Sequence, residues 1–364
     1  MGGEVTGKLP PVRGKDVVEF DDVALLLRPC KEGRGQLHAG KDRGAAPAAN
    51  VAIEQRHPVR VAAGRRFDHN DEDPIRKGDQ IRLAPLDYVA VTPAEARDAF
   101  ARLLQTPEAD LDLAEGALLI AAEEYADLRV GAYLDRLARM AIELKQRIRA
   151  QVEPHRVVQI ANDYFFEEQH FKGNREEYYD PRNSFLNDVI DRRVGIPITL
   201  AVLYIAVGER AGLPVRGVGM PGHFLVKYGP ANGDLFIDAF NGRTLTRAEC
   251  AKMLDDTYGG TVELRPAMLQ PSSKRQIFAR MLNNLKSLYL SRGDLGRALS
   301  ASDRIVLAEP HLTSEWRDRG LILFQMRQDS RALKDFTRYL EVRPEPEDAA
   351  RIRQLRGELV SRLN

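Results

Sequence analysis

From residue 92 onward, apolar side chains recur at three- and four-residue steps. Leu134, Leu137, Ala141, Leu144 and Ile148 draw one such stripe, which predicts an amphipathic helix over 132–150. Val157, Ile160, Ala161 and Phe165 draw another, over 154–169. Thr92-Pro93-Ala94-Glu95 joins a capping box to a proline at the first helical position, so a helix over Ala94–Leu104 has a defined start. A further helix fits Leu111–Tyr125. Asp180-Pro181-Arg182-Asn183-Ser184 caps the next, over Phe185–Arg193. Ile198–Ala211 is apolar nearly all round, the pattern of a helix buried on every side, and Gly212-Leu213-Pro214 stops it. Residues 1–87 show no sustained period. Such a stretch cannot offset its ordering entropy by burial, so an extension outside the fold is expected there.

Beyond Pro214 the period shortens. Val215–Met220, His223–Tyr228 and Leu235–Asp238 read as strands, and Asn241-Gly242 turns the chain into a short fourth at Thr244-Leu245. Gly229-Pro230-Ala231-Asn232 suits a four-residue hairpin loop. Closing there pairs Tyr228 with Gly233 and Val226 with Leu235, the two residue numbers always summing to 461. The same register sets His223 opposite Asp238 on one face of the sheet. A histidine facing an aspartate is a general base with its orienting group. It is equally a structural hydrogen bond that ties strands together.

The C-terminal segment repeats itself. Ala298-Leu299 and Ala332-Leu333 are 34 residues apart, as are Pro310 and Pro344, the period of tetratricopeptide helix pairs. Two units are too few to close a core alone, so they are expected to dock on the preceding domain. The expected organisation is therefore 1–87 as extension, 88–175 as helical lead-in, 176–270 as a mixed α+β core and 275–364 as tetratricopeptide-like helices.

Composition narrows the functional classes. Lys and Arg number 54 against 53 Asp and Glu, a net charge of +1, which leaves no overall electrostatic footprint for nucleic acid or membrane. Two cysteines, Cys30 and Cys250, exclude a disulfide framework and a Cys-rich zinc site, and fit a reducing, cytoplasmic setting. The longest uncharged apolar run, Val194–Gly208, is 15 residues, short of the roughly 20 that span a bilayer. His155 and His170 have no ligand-like spacing, and neither do His38, His57 and His69, so neither metal nor cofactor is expected. Glu123-Glu124 and the cations Lys274, Arg275, Arg280, Lys286, Arg292, Arg297 and Arg304 are expected on solvated helix faces.

Several motifs in order resemble the bacterial SirB-type transglutaminase-like family. They are Asp180-Pro181-Arg182-Asn183-Ser184-Phe185-Leu186-Asn187, Asp191-Arg192-Arg193-Val194-Gly195-Ile196-Pro197, Pro221-Gly222-His223-Phe224-Leu225-Val226 and Asp238-Ala239-Phe240-Asn241-Gly242, with Arg317-Asp318-Arg319-Gly320 in the tail. The resemblance spans about residues 88–350. It implies a papain-like α+β core in which a Cys opens the buried helix and His and Asp follow on adjacent strands.

The departure from that pattern decides the functional reading. In active members the nucleophilic Cys lies 15 residues before the Gly of the Gly-x-Pro that ends the helix. Here Gly212 points back to Pro197. The neighbours Ile196 and Ile198 are inert, and Thr199 points some 200° away around the helix. Without a thiolate, His223 and Asp238 have nothing to activate. The expected role is a non-catalytic protein-interaction or regulatory module, with a protein partner on the C-terminal helices or the remnant cleft and no nucleic acid or membrane. One alternative is a protease, amidase or transglutaminase using a displaced Cys250, which follows the capping box Thr246-Arg247-Ala248-Glu249 and so opens a helix. Its bland counterpart is a small buried core residue. Another alternative is a small-ligand site at the cleft formed by Asn183, Pro197, Thr199, His223 and Asp238.

Overall fold

Three capping boxes fix where helices begin. Thr92, Thr246 and Ser273 each accept a hydrogen bond from the backbone N–H three residues on, while the side-chain oxygens of Glu95, Glu249 and Gln276 accept one from the backbone N–H of the cap. Each arrangement satisfies two N–H groups that a helix start leaves without partners. The computed structural model describes residues 92–229, 235–342 and 348–364. Cys30, His38, His57, His69, Gly233 and Pro344 lie outside the described residues. All of those described belong to one compact unit.

The lead-in comprises α1 (Pro93–Leu103), α2 (Leu113–Ala122), α3 (Val130–Ile148) and α4 (Pro154–Asn162). The helix expected over 154–169 does not run through: after Asn162 it widens into a π-turn, Asp163–Glu168. The wider turn seats two successive rings, Tyr164 and Phe165, in the core, and Phe165 stacks on Tyr204 at 4.4 Å. Then come β1 (Lys172–Gly173), a 3₁₀ turn at Pro181–Ser184, α5 (Leu186–Arg192), β2 (Val194–Gly195) and α6 (Pro197–Arg210). Twelve of the fourteen α6 residues are buried. Each large aliphatic side chain so removed from water stabilises the fold by about 1.5–3 kcal/mol before entropy is charged against it.

Strands β3 (Val215–Val218), β4 (Leu225–Tyr228), β5 (Leu235–Asp238) and β6 (Arg243–Leu245) form an antiparallel sheet in chain order. Val226 pairs with Ile237, Lys227 with Phe236 and Tyr228 with Leu235. Those numbers sum to 463, so the register differs from the expected one by two residues and the connection takes six residues rather than four. A slip of two keeps every side chain on its face. That is why His223 and Asp238 still share a face, as expected, although the strand partners differ. Val226 and Ile237 join the main core. Leu225, Phe236 and Leu245 turn to a second, smaller apolar cluster closed by α7 (Arg247–Tyr258) and Leu269.

The tail is α8 (Lys274–Ser291), α9 (Leu295–Ala308), α10 (Thr313–Gln325), α11 (Asp329–Val342) and α12 (Ala349–Leu363). Its first helix is also a wall of the core. The Phe278 ring meets Phe100 edge-on at 5.5 Å and presses on Gly116 of α2, where a Cβ would fall 2.1 Å from the ring. Among the described residues no helix is long and apolar enough to cross a membrane.

The charges expected on solvated faces are largely structural instead. Glu123 pairs with Arg97 inside the lead-in, while the pairs of Glu123 with Arg304 and Glu124 with Arg297 cross the seam between lead-in and tail. Lys286 is fully buried, 2.6 Å from Glu315 and 3.1 Å from Asp318. Arg280 turns inward to backbone carbonyls. Helical spacing alone could not show this, because each partner comes from a distant segment.

Candidate functional site

His223 and Asp238 meet at one end of the sheet, where β5 finishes and the chain approaches β4. Gly222 has φ +68°, a left-handed turn, and a Cβ there would lie 3.1 Å from both Thr257 and Tyr258 of α7. Glycine satisfies both demands. The next residue, His223, donates its N–H to Met220 O at 3.1 Å. Arg280 reaches over from α8 and donates to Met220 O and His223 O, both at 3.1 Å. The imidazole is thus aimed from two sides, by α7 and by the first tail helix.

Asp238 is fully buried and collects four donors. Its Oδ1 accepts from His223 Nε2 at 2.9 Å and from the N–H groups of Phe240 and Asn241, both at 3.2 Å. Its Oδ2 accepts from Asn241 Nδ2 at 2.5 Å. Burial pushes the carboxyl up, but the His223 and Asn241 hydrogen bonds together with the His223 charge outweigh it and hold Asp238 below its ordinary value. A carboxylate only accepts, so His223 Nε2 is the donor of this bond. The His223 side chain keeps 14% of its surface exposed.

The start of α6 is stitched to this end of the sheet by the short β1 segment. Lys172 N–H donates to Arg193 O, Gly173 N–H to Phe240 O and Asn174 N–H to Gly195 O, at 3.0, 3.1 and 3.0 Å. Pro197 is buried as the first residue of α6. Thr199 is fully buried and its hydroxyl makes no hydrogen bond. Between them stands Ile198, so the opening turn of α6 carries one hydroxyl and no thiol. Asn183, expected at the cleft, braces the adjoining loop from within. Its Nδ2 donates to Glu177 O at 2.6 Å and Tyr178 O at 3.2 Å, and its Oδ1 accepts from Asn174 at 3.0 Å. Cys250 is fully buried among Val218, Met220, Leu225, Phe236, Leu245 and Leu269.

The loop also carries side chains that the motif reading passed over. Tyr178 lies 6.0 Å from the Phe240 ring, and His223 lies 6.5 Å from it. The adjacent pair Tyr178-Tyr179, just ahead of the Asp180-Pro181 cap, was the available signal. No group of three His, Cys, Asp or Glu side chains among the described residues is arranged to hold a metal ion.

The transglutaminase-like superfamily profile matches residues 131–283, and a tetratricopeptide repeat profile matches 285–357. The seam between them falls inside α8. The chain is 40% identical over 263 residues to a UPF0162 protein of Xylella fastidiosa, covering 70% of this chain and 91% of that protein. A UPF0162 protein of Pseudomonas aeruginosa is 29% identical over 71% of this chain and 93% of its own length. Human F-box only protein 21 is 32% identical over 141 residues, 36% of this chain and 22% of that one.

Proposed function

The chain belongs to the UPF0162 family of transglutaminase-like proteins with a tetratricopeptide tail, and from that premise we propose that it is a non-catalytic protein-interaction or regulatory module. One observation carries the reading: where acyl transfer needs a thiol, the opening turn of α6 places a buried proline, Pro197. The imidazole then has no nucleophile to deprotonate. Asp238 spends three of its four hydrogen bonds on the turn at Phe240-Asn241, a structural task that also supports the reading. Tetratricopeptide helices commonly bind protein segments, in keeping with a partner at the tail or the cleft.

The competing reading is a cysteine enzyme that brings Cys250 to His223, and the oriented imidazole favours it. Alkylation separates the two. The expected outcome is that Cys250 of the native protein labels slowly with iodoacetamide, at a rate that His223→Ala leaves unchanged. Amide hydrolysis and glutamine–amine transfer assays should show no turnover that depends on His223 or Cys250. Fast labelling slowed by His223→Ala, or turnover lost in Cys250→Ala, would establish the enzyme instead.

A further inference from the structure

Four rings touch one after another beside the His223–Asp238 pair: Tyr179, Tyr178, Phe240 and His223. Their centroids are 5.3, 6.0 and 6.5 Å apart, and each meets the next edge-on, at 80°, 69° and 90°. Tyr178 and Tyr179 are 42% and 49% exposed, and Phe240 and His223 are half-buried. The three steps together span at most the length of about five residues of extended chain at ~3.3 Å each.

The loop that displays the tyrosines is held by many polar contacts. Asn174 accepts the Glu177 N–H at 3.0 Å, Asn183 donates to Glu177 O and Tyr178 O, and Arg292, just past α8, donates to Tyr179 O at 3.3 Å. Exposed aromatic rings fixed in advance lose little freedom on binding, which makes them strong contact points for a partner.

The surrounding charge selects the partner. The Arg175 guanidinium lies 5.5 Å over the Phe240 ring. Arg182 and Arg243 expose more than half of their side chains. Of the nearby carboxylates, Asp180 is paired with Arg182 and Arg192, and Asp238 is buried. Glu176 and Glu177 are exposed, against four exposed guanidinium side chains, Arg175, Arg182, Arg243 and Arg292.

We propose that this aromatic row is a docking strip for an extended segment of a partner protein, with acidic side chains flanking an aromatic or aliphatic one. The proposal rests on the non-catalytic reading in one respect: the segment is held, not cut or joined.

The test pans a displayed library of random short peptides against the full chain and measures the selected peptides by fluorescence anisotropy. Enrichment of Asp and Glu around an apolar residue is expected, with affinity falling as salt rises. Tyr178→Ala, Tyr179→Ala and Arg175→Glu each weaken binding by about tenfold or more. All three positions are exposed, so unchanged thermal melts confirm that the variants fold. Val360→Ala, on the exposed side of α12, leaves the affinity as it was. The strip is overturned if no peptide is enriched, if the enriched peptides lack acidic residues, or if the tyrosine variants bind as well as the parent. Mass spectrometry of the bound peptide keeps the two readings apart. Peptide cleaved or cross-linked in a His223-dependent way would sink the non-catalytic reading while leaving the strip in place. Intact peptide insensitive to Tyr178 would sink the strip alone.

Discussion

Two sets of charged side chains, one in the core and one in the tail, solve the same electrostatic problem differently. Lys286, Glu315 and Asp318 are sealed, with 0%, 3% and 7% of their side chains exposed. Ser302 donates to the second Glu315 oxygen, and Arg317 donates to the second Asp318 oxygen. Burial pulls the Lys286 ammonium down, but the attraction of Glu315 and Asp318 overrides it and raises the group above its ordinary value. His223 and Asp238 bury only the carboxylate and leave an edge of the imidazole in water. A sealed cluster can act only on the fold. A cluster open on one side can also meet a partner.

The comparison breaks first at Lys286. Lys286→Ala strands two buried carboxylates and should cost about 3–5 kcal/mol in a denaturant titration. A loss below about 1 kcal/mol would mean that the cluster is not sealed in solution. Asp238→Ala comes next, because the Phe240 and Asn241 N–H groups lose a charged acceptor. A cost of about 1.5–3 kcal/mol is expected from the same titration.

Acid sharpens the contrast. Asp238 is held below the ordinary carboxylate value of about 3.9. Its stabilisation is therefore whole above that pH and is lost as acid carries the group through its lower, folded value. Melting temperatures between about pH 5 and pH 2 should fall less steeply in Asp238→Asn than in the parent; equal slopes would remove Asp238 from the account. His223→Ala is milder, about 1–2 kcal/mol, since Asp238 keeps its other three donors. A cost matching that of Lys286→Ala would make the open pair as structural as the sealed one. Smallest of all is Arg297→Ala, whose side chain is 56% exposed beside Glu124 and Asp294. A change within about 1 kcal/mol, shrinking further with salt, is expected from thermal melts.

Local signals carried most of the architecture. The capping box at Thr92 and the all-round apolar Ile198–Ala211 stretch placed their helices within a residue of where they stand, and the 34-residue period marked the tail as paired helices. The meeting of His223 with Asp238 was legible too, although through the wrong register, because a two-residue slip preserves sides. Contacts between distant segments were not legible. Nothing near Lys286 announces Glu315, 29 residues on, or tells a buried ammonium from a solvated one. Arg280 reads as one more surface cation until the carbonyls of Met220 and His223 are seen beneath its guanidinium. Tyr178-Tyr179 reads as loop until Phe240 arrives from the far end of the sheet.

Helix α8 serves two lineages of fold at once. Its first half closes the core with Ile277, Phe278 and Arg280, and its second half opens the repeat array with Lys286 and Tyr289. Exchange of gene segments at the seam between the two matched profiles would divide this helix and leave neither product with a complete interior. Core and repeats are therefore a single mechanical piece, joined through one helix interior. A lineage that shed its repeats would first have to rebuild the wall behind His223.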